Sequence, residues 1–465
     1  MDTAMPRRSK PKQPKTPVQQ PQSSPALSTG NTGPIPTRTF RFAEPPPTPD
    51  PTKFTVKHGS DAKAYKILDS LRGTLRPRPF PVVSGIDEPI LRLEEAYGTG
   101  KGAQIVREIE ATGQIVFHCV GDTGNVKGPK DEDLVADKMV SDFNEAQTTA
   151  IPSFFYHLGD VVYSFGETTY YYDQFYDPYR NYPAPIFAIP GNHDGMIAPN
   201  SSAETLAAFI ANFCAAGKPP HKTPESGQLV RTAQIQPGVY FTLEAPFVRI
   251  LGLYSNCLED PGVISDQSGT YSSLDGAGSV QLKFLEASLQ RIKKAKFTGA
   301  VLIAVHHPPY VAVIPSTGIT TGNHGSSPGM LKDIDSICAK TGIWPHAVLS
   351  GHAHNYQRFT RHQDNRETPY IVAGNGGHAI RSLTRPGNPA LRTPIVFPTL
   401  SNGKDQIVFE NYDDAKYGYL RVIADSKQLR LEYHPASDRD SAKTPDDFVT
   451  VDLAKRKLVH YQPAG

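Results

Sequence analysis

An α/β fold, with β-sheets flanked by helices, is what this sequence predicts, and three observations carry the prediction. From about residue 112 onward, short apolar runs alternate with segments whose apolar residues recur at helical spacing. The runs are continuous rather than alternating, as expected of strands buried on both faces. At least five of them stop at a cluster of potential ligands, most led by glycine. In open α/β sheets the ligand crevice lies beyond the carboxyl ends of the strands, so clusters far apart in sequence would converge on one rim.

The elements follow in order. Residues 1–50 hold 12 of the 43 prolines and almost nothing apolar. They cannot bury enough surface to offset chain entropy and are expected to form a disordered, basic, Pro-rich tail. Residues 51–110 are expected to form an N-terminal extension packed on the core. In it Ala62–Leu71 and Glu88–Tyr97 have short helix-like spacing, and the proline-rich segment at 76–81 interrupts them. The main domain is expected to span 111–465. Its first strand, Gln114–Val120, ends in Gly121-Asp122, and a helix follows over 131–147 through Leu134, Val135, Met139, Phe143 and Ala146. Ser153–Leu158 ends in Gly159-Asp160, and Pro185–Ile189 ends in Pro190-Gly191-Asn192-His193-Asp194. Phe247–Leu253 is a fourth run. The helix over 279–296 places Leu282, Leu285, Leu289 and Ile292 on one face and lysines in its last turn, as the helix dipole favours. Gly299–Val305 ends in His306-His307, His346–Leu349 leads to Gly351-His352-Ala353-His354, and Pro369–Ala373 leads to Gly374-Asn375-Gly376-Gly377.

Composition bounds the function. The 465 residues carry a net charge of +2, and the core shows no basic stripe, so no nucleic-acid partner is expected. No stretch approaches the roughly 20 apolar residues of a membrane span. The basic N-terminus lacks the apolar region of a secretion signal, so a cytoplasmic location is expected. Cys119, Cys214, Cys257 and Cys338 form no Cys-x-x-Cys pair, which argues against a zinc ribbon or redox dithiol. Cys119 reads as a small buried thiol.

The clusters supply carboxylate, amide oxygen, imidazole and phenol, but no thiolate. That set suits iron, manganese or zinc rather than copper(I) or an iron–sulfur cluster. A leading glycine lets the chain turn sharply and approach an ion closely. His352 and His354, two apart in an extended segment, would point the same way.

In this order the clusters Gly121-Asp122-Thr123-Gly124, Gly159-Asp160-Val161-Val162-Tyr163, Gly191-Asn192-His193-Asp194, Val305-His306 and Gly351-His352-Ala353-His354 resemble the signature of the calcineurin-like metallophosphoesterases. Most of that superfamily opens with Asp-x-His. Here Gly124 stands in the histidine's place and the second cluster carries Tyr163, which resembles the purple acid phosphatases. The resemblance implies a layered metallophosphoesterase fold and two metal ions. The first, held by Asp122, Asp160, Tyr163 and His354, would be Fe(III), which a tyrosinate favours. The second, held by Asp160, Asn192, His306 and His352, would be Fe, Zn or Mn. His306 is preferred to His307 because the family's ligand opens a His-x-Pro step. The secretion signal common in plant and animal purple phosphatases, and the N-terminal β-sandwich of many plant members, are not seen.

The reaction so implied is hydrolysis of a small-molecule phosphate ester, most directly a phosphomonoester, by metal-activated hydroxide. His193 would stabilise the transition state or protonate the leaving alkoxide, and Asp194 would orient that imidazole. His324 is a candidate second donor to the phosphate, and Arg358 and His378 are expected at the cleft. The Gly374–Gly377 turn reads as structural, since it lacks a Walker-type lysine. A phosphodiesterase acting on cyclic nucleotides or lipid head groups is the alternative. Loops 164–185 and 254–279 would decide between the two, with Tyr170, Tyr171 and Tyr172 walling the cleft or packing. A non-catalytic metal-binding scaffold ranks lower because every ligand position is filled. A nuclease ranks low because only the basic tail prompts it. No protein partner is identifiable.

Overall fold

The computed structural model describes residues 88–98, 100–144, 150–198, 201–215, 234–266, 279–312, 324–383, 391–397, 405–436 and 444–463. The expected tail 1–50 and the helix-like segment Ala62–Leu71 lie outside the described residues, as do positions 145–149 at the end of the helix expected over 131–147.

Two sheets form the centre. Strands β1 (Ile90–Arg92), β5 (Phe241–Ala245), β6 (Val248–Leu253), β7 (Ala300–Val305), β8 (Ala347–Ser350), β9 (Tyr356–Gln363), β10 (Arg366–Ala373), β11 (Ile395–Val396) and β12 (Gln406–Asp413) make the first, in the order β1-β5-β6-β7-β8-β10-β9-β12-β11. Strands β2 (Gln114–Val120), β3 (Phe155–His157), β4 (Ile186–Ala188), β13 (Gly418–Asp425), β14 (Gln428–Pro435), β15 (Asp447–Asp452) and β16 (Lys457–Leu458) make the second, in the order β16-β15-β14-β13-β2-β3-β4. Each sheet is mixed. β6, β7, β8 and β10 run parallel in the first, and β2, β3 and β4 run parallel in the second.

The alternation hidden inside the apolar runs sorts the layers. Ile115, Phe117 and Cys119 of β2 pack with Leu302 and Ala304 of β7 and with Leu420 and Val422 of β13, filling the space between the sheets. Val301, Ile303 and Val305 of β7 face the other way, into a core shared with Phe284, Leu285, Leu289 and Ile292. Those four lie on the helix Val280–Lys294, whose last turn carries Arg291, Lys293 and Lys294. The remaining α-helices among the described residues are Leu93–Ala96, Gly102–Ala111, Lys130–Ser141, Asn192–Gly195, Ala207–Phe213 and Pro328–Thr341.

The segment Glu88–Tyr97 meets its helical expectation only over Leu93–Ala96. Its first apolar residues form β1, which pairs in parallel with β5, so Ile90–Arg92 are an edge strand of the first sheet. All four cysteines are free, and Cys119 is buried. Tyr171 and Tyr172 pack inside the helix-side core rather than walling a cleft. No helix among the described residues is long and apolar enough to cross a membrane.

Candidate metal centre

The carboxyl ends of β2, β3, β4, β7 and β8 deliver their clusters to one place. Tyr163 donates its hydroxyl to Asp122 Oδ1 at 3.0 Å, and His354 Nε2 lies 3.3 Å from that hydroxyl and 3.4 Å from Asp122 Oδ1. Asn192 Oδ1 lies 3.1 Å from both His306 Nε2 and His352 Nδ1. Asp160 Oδ2 is 3.3 Å from His306 Nε2. It completes a group with Asp122 and His354 whose ligating atoms all lie within 4.8 Å of one another. The seven side chains therefore fall into two groups that share Asp160.

Each carboxylate has one oxygen fixed by a neighbouring cluster and the other turned inward. The His352 N–H donates to Asp122 Oδ2 at 2.7 Å, and the His193 N–H donates to Asp160 Oδ1 at 2.9 Å. His306 Nδ1 lies 2.8 Å from the Leu158 carbonyl, to which it donates, leaving Nε2 for the centre. Asp160 Oδ2 has no hydrogen-bond partner, though the residue is fully buried, and Asn192 turns Oδ1 toward His306 and His352. Inward-facing lone pairs without donors are what a cation would satisfy, so the residues fit a metal.

Electrostatics agree. Burial would raise the Asp160 carboxyl, but the charges of His306 and His193 outweigh it and hold it well below the usual carboxylate range. Burial would lower His306, but the Asp160 and Asp122 carboxylates push it up to about 9. His354 is lowered to about 3, by burial first and then by Arg381. Burial, then the Asp122 and Asp160 carboxylates, holds the Tyr163 hydroxyl well above the ordinary phenol range.

Local geometry explains the glycines. Gly159 has φ +97°, and a Cβ there would sit 2.6 Å from His306 Nδ1. At Gly124 a Cβ would lie 2.5 Å from both Gln174 Oε1 and the Val161 carbonyl oxygen. A histidine has no room there, and the donor comes instead from Tyr163. The expected extended segment at 352–354 is not extended. Asp122, Asp160, His324, His352 and His354 all take left-handed backbone, at φ 57°, 55°, 63°, 70° and 47°. Asp and His tolerate that region better than most side chains. The two histidines converge because a turn, not a strand pleat, aims them.

His193 and His324 stand beside the donors. His193 Nδ1 donates to the Ser164 carbonyl at 2.8 Å, and Nε2 lies 4.0 Å from Asp160 Oδ2. The orienting role expected of Asp194 therefore falls to Ser164. The Asp194 carboxylate is occupied as a cap, accepting N–H groups from Gly191 at 2.8 Å, Val161 at 3.2 Å and Val162 at 3.3 Å. The His324 ring lies 4.4 Å from that of His352 and 4.9 Å from that of His354. His307 packs behind the site, bonded to Ser255 Oγ and to the Leu258 carbonyl. His378 stacks on Tyr163 with centroids 3.7 Å apart. Arg358 is not at the cleft, because it pairs with Asp447 through two bonds of 2.7 and 3.0 Å. The Gly374–Gly377 turn is bonded back to Gly121 and Asn125, as a structural turn would be.

Three residues that sequence reasoning passed over adjoin the centre. Glu259 Oε1 is 3.9 Å from His193 Nε2, and Asp260 Oδ1 is 3.6 Å from His352 Nε2. Arg381, exposed at the rim, acts electrostatically on both His354 and His324, and its N–H is bonded to the His354 carbonyl at 3.0 Å. The acidic pair follows β6 at a distance, and Arg381 follows a glycine turn, so neither stands directly at a strand end.

Comparison with known proteins finds a family and relatives for part of the chain. The calcineurin-like phosphoesterase family matches residues 115–356, just over half of the chain. Probable purple acid phosphatase 20 of Arabidopsis thaliana is 30% identical over 33% of this chain and 34% of its own length. Probable inactive purple acid phosphatase 9 of the same plant is 24% identical over 34% of this chain and 23% of its own. The chain thus matches about a quarter to a third of the length of these relatives. The solved structure of purple acid phosphatase PPD1 from yellow lupin (Lupinus luteus) aligns at a TM-score of 0.46 and 16% identity, covering 73% of this chain and 54% of that one.

Proposed function

The chain belongs to the calcineurin-like phosphoesterase family, and from that premise we propose that it is a binuclear metal-dependent phosphomonoesterase. The observation that carries the reading is the inward convergence of seven donors in two groups around Asp160. Asp122, Tyr163, His354 and Asp160 would hold one ion, with Fe(III) the choice that suits a phenolate. Asn192, His306, His352 and Asp160 would hold the other, as Fe, Zn or Mn. When bound, such ions supply Lewis acidity and a water acidic enough to act near neutral pH.

The protein's own groups do the rest. His193, fixed through Nδ1 by Ser164, presents Nε2 to the leaving oxygen and donates a proton there, a role worth ~10²–10⁴-fold. His324 and Arg381 face the same space and offer donors to terminal phosphoryl oxygens. With His193 they make three donors around the phosphate, which suit the dianionic end of a monoester better than a diester, which presents fewer free oxygens. One relative is named inactive, but here all seven donor positions and His193 are filled.

The test is hydrolysis of an aryl phosphomonoester beside the matching diester by metal-loaded protein, Asn192→Ala and His193→Ala. Monoester turnover lost in both variants is expected. Preference for the diester would move the activity to phosphodiesterase, and two bound metals without turnover of either would favour a scaffold.

A further inference from the structure

The loop after β6 carries a carboxylate that the seven donors do not require. Building on the phosphoesterase reading, we propose that Asp260 is a positioning residue, holding a metal-ligating histidine and a substrate-facing histidine in register from one side chain.

The Asp260 carboxylate accepts the His324 N–H at 2.6 Å through Oδ2 and the Gly325 N–H at 2.9 Å through Oδ1. Those two bonds pin the turn on which His324 sits with left-handed backbone. The imidazole so placed is buried, and neither ring nitrogen has a hydrogen-bond partner. A buried ring with both nitrogens open beside His352 and His354 is poised for an anion at the centre.

Asp260 also faces His352. That ring turns Nδ1 toward Asn192 Oδ1, so Nε2 is the outer nitrogen, 3.6 Å from Asp260 Oδ1. A carboxylate behind a ligating imidazole fixes its tautomer and raises its basicity. The loop is itself held rigid. His307 bonds to Ser255 Oγ at 2.7 Å and to the Leu258 carbonyl at 2.8 Å, and the Gly262 N–H donates to Ser327 Oγ at 2.9 Å. Two backbone N–H groups donate to this acceptor-only side chain, and His352 Nε2 faces it at 3.6 Å without a hydrogen bond. An amide there would turn a donor toward at least one of them.

The test reads binding, not turnover. Zn²⁺ is titrated into the chelator-stripped protein, and inorganic phosphate into the metal-loaded protein, for wild type, Asp260→Asn, Asp260→Glu, His324→Ala and the Asn/Ala double variant. Asp260→Asn should lose about 10–100-fold in affinity for one metal equivalent, which His324→Ala should not. Its phosphate affinity should fall as far as that of His324→Ala, with no further loss in the double variant. Asp260→Glu, which keeps the charge, should recover part of both. Unchanged Zn²⁺ affinity in Asp260→Asn, or phosphate losses that add in the double variant, would overturn the proposal. Unfolding of the stripped Asp260→Asn protein would do the same, since the carboxylate would then be a general prop. A wild type that cleaves no phosphate ester but shows this binding pattern would sink the phosphomonoesterase reading alone.

Discussion

His346 ties the two sheets together at the end of β8 remote from the metal centre, and its protonation sets a pH limit on the fold. The Val301 N–H donates to Nδ1 at 2.9 Å, and Nε2 lies 3.1 Å from the Leu453 carbonyl, to which it donates. Val301 belongs to the first sheet, and Leu453 follows β15 of the second. A proton on Nδ1 would meet the Val301 donor instead of serving it. Burial, with the charge of Arg456, lowers the imidazole from 6.5 to about 3. The unfolded chain takes up the proton as pH falls through 6.5, and the folded chain does so only near 3. Stability is therefore full above 6.5 and declines as pH falls, by about 1.4 kcal/mol per unit. Over the whole window the loss reaches about 4–5 kcal/mol, a large part of a domain's net stability. His346→Gln keeps an acceptor and a donor but cannot titrate. Urea unfolding of both proteins at matched metal loading between pH 7.5 and 4.5 should show a wild-type slope steeper by one proton. Parallel curves would refute the reasoning.

Arg358→Ala should cost about 3 kcal/mol of stability by taking the cation from the buried Asp447 carboxylate, which keeps only the Tyr356 hydroxyl among its side-chain donors, while Zn²⁺ affinity stays at the wild-type value. Chemical denaturation beside metal titration checks it. Tyr163→Phe should abolish any visible charge-transfer band of the iron-loaded protein, read by absorbance, and an unchanged band would remove the ferric assignment. Arg381→Ala should raise KM for a monoester about tenfold with kcat nearly constant, since it acts on bound phosphate from the rim. A fall in kcat at constant KM would show that it acts on the transition state alone.

Some of this was legible because burial and chemistry left the same mark. β2 and β7 are buried on both faces, so their runs are almost wholly apolar, broken only by His118 in β2, and their ends are plain. The ligands stand at those ends, most of them behind glycines that have no room for a side chain. The C-terminal strands left no such mark. β14 alternates Leu429 and Leu431 with Arg430 and Glu432, which pair with each other at 2.5 Å, so half of it reads as polar loop. Its neighbour β13 pairs with β2, some 300 positions earlier, and no local pattern records that. Asp260 and Arg381 owe their places to tertiary bonds through His307 and His354. The group that orients His193 is a backbone carbonyl, which has no residue signature. Arg358 follows a strand-end motif but lies on β9, where its register directs it to Asp447.

The left-handed backbone at five site residues sets this protein against itself. An L-residue there costs roughly 1–2 kcal/mol that glycine would not, somewhat less for Asp and His. Replacing Asp122, Asp160, His324, His352 and His354 by glycine would relax the backbone while erasing the centre. The backbone term alone therefore favours glycine at these positions, against the hydrogen bonds that Asp122 and Asp160 accept from the His352 and His193 N–H groups. A screen of this chain for heat resistance alone would set that backbone gain against those hydrogen bonds within the candidate metal centre itself.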